Sequence, residues 1–180
     1  MKHEKSIQKV HSGFVTKMAF NPWDNASSFM TISQDKSIKF YSTDSFEVLL
    51  EKTGLHSMGI NDLCFTQNQG QLVTCSSDRS VKVWQVDVGG KTMDETKAYK
   101  LSAADSEGLK ENVEKQILAL QNDGDTVIAV SCNSDINRWE LQGGEEPVET
   151  IRGHMNSVNA LAMWHQKFII SGDTDGRVLV

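Results

Sequence analysis

The sequence predicts an all-β fold assembled from repeated small sheets, and three observations carry that expectation. Apolar residues alternate with polar ones in short runs bounded by Gly, Asn, Asp and Ser, the pattern of strands and turns. Three stretches align with one another: HSGFVTKMAF with FMTISQDKSIKFY, HSMGINDLCF with LVTCSSDRSVKVW, and GHMNSVNALAM with FIISGDTDGRVLV. Each holds a His, an alternating strand, a gap, a strand containing Ser or Thr, an Asp, and a further alternating strand.

A weaker copy, VEKQILALQ with VIAVSCNSDINRW, lies between the last two, with Asn133 in the Asp column and no preceding His. The column Asp35, Asp78, Asn133 and Asp175 is spaced by 43, 55 and 42 residues. Two of these spacings match the roughly 40 to 45 residues of a four-stranded propeller blade. The expected architecture is about four consecutive blades, at roughly 6–44, 45–88, 97–141 and 147–180. Closing a ring removes the edge strands, usually with seven blades. Seven such repeats need roughly 300 residues, so 180 residues imply an incomplete ring.

Taken in order, the first repeat has an outer strand near Ile7–Val10, ahead of His11, then VTKMAF, the turn NPWDN, and the strands FMTIS and SIKFY. The second has its outer strand at Val48–Glu51, inward-facing Ile60, Leu63 and Phe65, the polar turn QNQGQ and the strand LVTCS. A tight turn, SDRS, then leads to Val81, Val83 and Trp84. The third repeat has a loosely placed outer strand near Ala98–Leu101, and the fourth has one at Val148–Ile151. Every outer strand is thus expected on the same sheet as the His that follows it. The long middle spacing falls in an insert, 89–112, whose Gly pair and polar bias read as a surface connection. Leu109, Val113 and Ile117 are spaced for a short helix there, against the strand-like alternation after Val113.

Composition narrows the function classes. Eighteen Lys and Arg against 24 Asp and Glu give a net charge of −6, which argues against a nucleic-acid or anionic-membrane surface. No apolar run exceeds the five residues Ala160–Trp164, far short of a bilayer span, and MKHEKSIQKV lacks the apolar core of a secretion signal. Cys64, Cys75 and Cys132 are odd in number without CxxC spacing, as expected of small buried side chains in a reducing, cytoplasmic setting. The order His, Ser/Thr, Asp invites a hydrolase triad, but it recurs in three repeats where an enzyme needs one site. A repeated structural hydrogen-bond network is the expected role. His11, His56 and His154 stand a blade apart without HxxxH or CxxC, and neither GxxxxGK[ST] nor GxGxxG is present. No catalysis, metal or cofactor is expected.

The His, Ser/Thr, Asp, Trp constellation at this spacing resembles the WD-repeat family of β-propellers. The resemblance implies that each His bonds the Asp of the next tight turn, with Ser or Thr and Trp extending the network. The complete set is His56, Thr74, Asp78 and Trp84. The first repeat has His11, Thr31 and Asp35, with Tyr41 for Trp; the third keeps Trp139; the fourth has His154, Ser171 and Asp175.

A narrower resemblance rests on HSGFV, on ENVEKQILALQ after the long connection, and on SDINRWELQGGEEPVETIRGHMNSVNAL. These are similar to the actin-interacting protein 1 family, and would place the chain in the first of two seven-bladed propellers. The resemblance implies a non-catalytic module that binds actin filaments and strengthens their disassembly by cofilin, cytoplasmic and cytoskeleton-associated. The alternative is a generic WD-repeat scaffold for a ubiquitin-ligase, signalling or trafficking complex.

Phe14 is the leading partner-binding candidate. It lies at the same offset from His11 as Gly59 from His56 and Ser157 from His154, and only this copy is large and apolar. A large apolar group on a rim loop marks a contact site; the alternative is that it folds back on a neighbouring blade. The resemblance places an aromatic of the matching loop on the actin- and cofilin-facing surface. Met58 and Asn156, in equivalent loops, would share that face. Trp23 and Trp164 are expected to be structural. The acidic residues of the insert region, Asp94, Glu95, Asp105, Glu107, Glu111 and Glu114, read as a solvated loop rather than a docking site for a basic partner.

Overall fold

The computed structural model describes residues 6–7, 9–101, 116–132, 134–164 and 167–180. Asn133, the second half of the insert with Asp105, Glu107, Leu109 and Glu111, and the adjoining Val113 and Glu114 lie outside them. The described residues form four antiparallel sheets. The first contains β1 (Val15–Phe20), β2 (Ser28–Ser33), β3 (Ile38–Ser42) and β4 (Val48–Lys52). The second contains β5 (Ile60–Phe65), β6 (Gln71–Ser76), β7 (Ser80–Asp87) and β8 (Thr92–Lys100). The third contains β9 (Ile117–Asp123), β10 (Thr126–Ser131), β11 (Ile136–Glu140) and β12 (Glu149–Ile151). The fourth has three strands, β13 (Val158–Trp164), β14 (Phe168–Asp173) and β15 (Val178–Leu179).

Within each sheet the strands lie in chain order. The first strands of successive sheets lie side by side, β1 by β5, β5 by β9 and β9 by β13, and so line the inside of an arc. The sheets stack face to face through apolar layers. Met30, Ile32, Ile38 and Phe40 of the first meet Ile60, Leu63, Leu72 and Trp84 of the second. Val73, Cys75, Val81 and Val83 of the second meet Leu120, Val127 and Trp139 of the third. Sandwiched sheets are covered on both faces, and TVIAVS of β10 is accordingly buried at every residue.

Every first strand carries a β-bulge at its second residue. Thr16, Asn61, Leu118 and Asn159 are skipped in the register with the neighbouring strand. A bulge adds a residue, which is why the buried apolar positions of β5 are Ile60 and Leu63, three apart rather than two. It also re-aims the extra side chain. Thr16 Oγ1 donates to the Ile60 carbonyl at 2.7 Å, and Asn61 Nδ2 donates to the Ile117 carbonyl at 2.6 Å. Both bonds tie one sheet to the first residue of the next.

The outer strands differ from expectation by one sheet. The strands at Val48–Lys52, Thr92–Lys100 and Glu149–Ile151 each pair with the strand before them, not with the sheet of the His that follows. The short hairpin turns explain this: Thr43–Glu47 and Val88–Lys91 fold each outer strand directly back on its predecessor. The sequence repeat is therefore offset by one strand from the hydrogen-bonded sheet. Ile7 and Val10 lie outside any strand. The first half of the insert is also not a surface connection: its Gly89–Gly90 pair makes a turn into the nine-residue β8.

Candidate functional site

The three His residues that lead into β1, β5 and β13 reach down to the turns after β2, β6 and β14. His56 is the most complete case. Its Nδ1 lies 3.1 Å from Asp78 Oδ2 and 3.0 Å from Ser80 Oγ, and its Nε2 lies 2.8 Å from Thr74 Oγ1. Trp84 Nε1 donates to the same Thr74 hydroxyl at 2.8 Å, so that hydroxyl donates onward to His56 and Nδ1–H faces the carboxylate. The Ser57 amide adds a 2.9 Å bond to Asp78. His11 repeats the arrangement, with Asp35 at 3.0 Å, Thr31 at 2.7 Å and Ser37 at 2.8 Å. Tyr41, in the Trp column, instead stacks on Phe29 at 5.1 Å.

This connectivity is that of a Ser–His–Asp triad, hydroxyl to one ring nitrogen and carboxylate to the other. Thr74 is fully buried and His56 nearly so. A hydroxyl closed in by a tryptophan and a histidine has no approach for a substrate, so the arrangement holds a loop to a turn. Partial burial pushes the Asp78 carboxyl up, but hydrogen bonds from His56 and Ser80 outweigh it and hold the group below the usual carboxylate range. Asp35 behaves likewise, burial being outweighed by Ser37, the Ser12 amide and His11.

The fourth repeat departs from expectation. His154 Nδ1 meets Asp173 Oδ2 at 2.8 Å, not Asp175, while Nε2 meets Ser171 Oγ at 2.8 Å. Asp173 occupies the column of Ser33 and Ser76, opposite the first residue of the inner strand. There it does both jobs. Its carboxylate accepts the Asp175 amide at 3.0 Å, as Ser33 and Ser76 accept those of Asp35 and Asp78. It also accepts the Arg177 amide at 2.9 Å, as Asp35 accepts that of Ser37. The hydrogen bond from His154 holds the Asp173 carboxyl below its ordinary range. Asp175 is left at the surface, bonded by Asn156 Nδ2. Trp139 stands apart from any such network: its indole donates to the Glu145 carbonyl at 3.2 Å.

The loops before the inner strands and the turns after the second strands share one end of the arc, which makes it the candidate interaction rim. Phe14 is 85% exposed there and does not fold back. Its counterparts do touch the preceding sheet. Ser157 Oγ donates to the Cys132 carbonyl at 3.0 Å, and a Cβ on Gly59 would fall 2.0 Å from Gln34 Oε1. Among the described residues no sheet precedes Phe14. Met58 is 46% exposed, whereas Asn156 is exposed but engaged with Asp175. Met155, 77% exposed, belongs to this rim and was missed by reasoning from the sequence. Its signal was an apolar residue directly after the His, where the other repeats have Ser12 and Ser57. Trp23 packs edge-on against Phe65 at 5.0 Å, and Trp164 stacks on Phe168 at 5.6 Å.

Comparison with known proteins agrees with this geometry. The model of the WD domain, G-beta repeat, matches residues 49–85 and 145–180. WD repeat-containing protein 1 of Gallus gallus is 26% identical over 173 residues, 93% of this chain and 26% of that protein. Actin-interacting protein 1 of Drosophila melanogaster is 24% identical over 192 residues, 89% of this chain and 31% of that protein. The chain thus spans between a quarter and a third of the length of these relatives. Maintenance of telomere capping protein 5 of Saccharomyces cerevisiae is 29% identical over 126 residues, 68% of this chain and 10% of that protein. Among solved structures, the crystal structure of the computationally designed Ika4 protein superposes with a TM-score of 0.72 at 22% identity, covering 99% of this chain and 97% of that one. With its stacked sheets and its His–Asp pairs, the chain carries WD40 repeats at residues 49–85 and 145–180, and its described residues form an arc of a β-propeller.

Proposed function

We propose that the protein is a non-catalytic interaction module of the actin cytoskeleton, cytoplasmic, that binds actin filaments and promotes their cofilin-dependent disassembly. The observation that carries this reading is similarity over about nine-tenths of the chain to proteins named WD repeat-containing protein 1 and actin-interacting protein 1. The rim supports it with exposed apolar side chains, Phe14, Met58 and Met155, set on loops clamped by buried His–Asp pairs. Large apolar groups on a rigid rim are the kind of anchor that protein partners bury. The mechanism is differential binding: a module that fits the cofilin-altered filament better than the bare one shifts the population towards disassembly.

Co-sedimentation of the folded chain with actin filaments tests this. Pelleting should rise when cofilin is present, and Phe14→Ala should lower it several-fold. Equal pelleting with and without cofilin would defeat the proposal. Similarity to a relative named for telomere capping favours a second reading, a WD-repeat scaffold for another assembly. Under that reading neither cofilin nor Phe14→Ala changes pelleting.

A further inference from the structure

We propose that the groove between the first and second sheets, at the end opposite the His-clamped rim, docks a basic, arginine-bearing segment of a protein partner. The inference stands apart from the actin reading, which uses the rim. Strands of each sheet run antiparallel in chain order, so the turns after the first and third strands gather at this other end. Between the first two sheets these turns leave an open groove of about 970 Å³. Both walls belong to four-stranded sheets of this chain. One wall comes from the β1–β2 turn and the start of β4. The other comes from the β5–β6 turn, the end of β7 and the turn that follows it.

The chemistry of the walls names the occupant. Trp23, Val48, Leu49 and Val88 supply apolar surface that is not fully buried. Trp23 is held by its edge-on contact with Phe65 at 5.0 Å, so part of this surface is fixed before anything binds. Asp24, Glu47 and Asp87 line the same groove against one base, Lys91. Glu47 and Asp87 are exposed, and none of the three carboxylates has an ion-pair partner among the described residues. Asp24 Oδ2 accepts from Asn21 Nδ2 at 2.9 Å and from the Ser28 hydroxyl, while its Oδ1 is buried with no donor among the described residues. The negative surplus continues beyond the groove. Asp125, Glu145 and Glu146 are exposed on turns of the third sheet at the same end, so an approaching cation meets a field of one sign.

Arginine answers both features at once. Its aliphatic stem packs on apolar surface while its head stays with charge. Its planar fork bonds carboxylates in pairs and stacks on aromatic rings. The groove volume stands at the upper end of small-ligand sites, which gives room for a short stretch of chain rather than one side chain. An acidic segment would meet three like charges, and a wholly apolar one would leave carboxylates covered and unpaired.

Fluorescence anisotropy of a labelled peptide alternating arginine with glycine, titrated with the purified chain at low ionic strength, is the test, with circular dichroism to establish β structure. The peptide should bind. Citrulline in place of arginine keeps the shape, loses the charge, and should weaken binding roughly ten-fold. The double variant Glu47→Lys, Asp87→Lys should weaken it by about the same factor, the scale of two exposed ion pairs turned into repulsions. Glu145→Lys with Glu146→Lys makes the same change of charge at the same end but outside the groove, and should weaken binding less than about three-fold. Lys91→Glu should tighten binding several-fold, a gain that misfolding does not produce. Phe14→Ala, on the rim, should leave peptide binding unchanged. A folded wild type that does not bind the peptide overturns the proposal. So do equal losses from the two double variants, which would reduce the effect to a diffuse acidic surface, or a citrulline peptide that binds as tightly as the arginine one.

Discussion

Asp173 and Asp175 differ by two positions in the sequence and by their whole role in the structure. Column counting selects Asp175, because Asp35 and Asp78 set the ruler. A carboxylate is longer than a serine hydroxymethyl, so Asp173 in the Ser column reaches both His154 and the turn amides. Asp173→Ala should therefore lower the melting temperature clearly, since it strands a buried histidine and two amides. Asp175→Ala removes one surface bond to Asn156 and should leave the melting temperature almost unchanged. Thermal melts of the two variants check this, and equal losses would contradict the assignment. The exposure of Phe14 and Met155 is likewise a residue-scale result. The sequence marked Phe14 by its size in a small-residue column, but whether it folds back depends on a neighbour that no local pattern encodes.

At the scale of elements, the turn after each second strand is the most regular feature. Ser33, Ser76, Ser131 and Asp173 each accept from the amide three residues on, at 3.2 Å in every case. That donor has a left-handed backbone throughout: Lys36 at 70°, Arg79 at 70°, Ser134 at 74° and Gly176 at 79°. This is the tight hairpin closed by a left-handed residue that glycine suits best. A Cβ on Gly176 would meet nothing within 4 Å, so backbone conformation alone sets its cost. Gly176→Ala should destabilise by about 1 kcal/mol, and Arg79→Gly should stabilise by roughly 0.5 kcal/mol, once glycine's greater unfolded entropy is counted. Denaturant titration of both variants measures the pair. Strand identity at this scale was largely legible in the alternation of apolar residues. Its partner was not: β8 was read in part as a loop, because the run Thr92–Lys97, polar except for the buried Met93, lies on an outer strand with a solvent-facing side.

At the scale of the molecule, three lowered aspartates act in the same direction. Their charged forms are favoured by folding, so the stability they contribute is present above the unfolded carboxylate value, about 4, and is lost as pH falls through their lower folded values. Melting temperatures should hold through neutral pH and decline below about pH 4. Asp78→Asn should start lower and decline less steeply; an unchanged acid limb would separate the His–Asp pairs from that behaviour. Cys64 and Cys75 add no reactivity of their own: burial, with Asp62 nearby, pushes the Cys64 thiol up to about 12 and that of Cys75 well above its ordinary value.

The sequence by itself determined the repeat, its length, the strands and turns within it, and the His columns that pin loops to turns. These are matters of local periodicity and turn chemistry, which depend on residues a few positions apart. Only the tertiary structure decided which sheet takes each outer strand, which aspartate answers His154, and which apolar side chains remain uncovered. Hairpin closure, carboxylate reach and the presence or absence of a neighbouring sheet set those outcomes, and each depends on groups that meet in space across tens of residues.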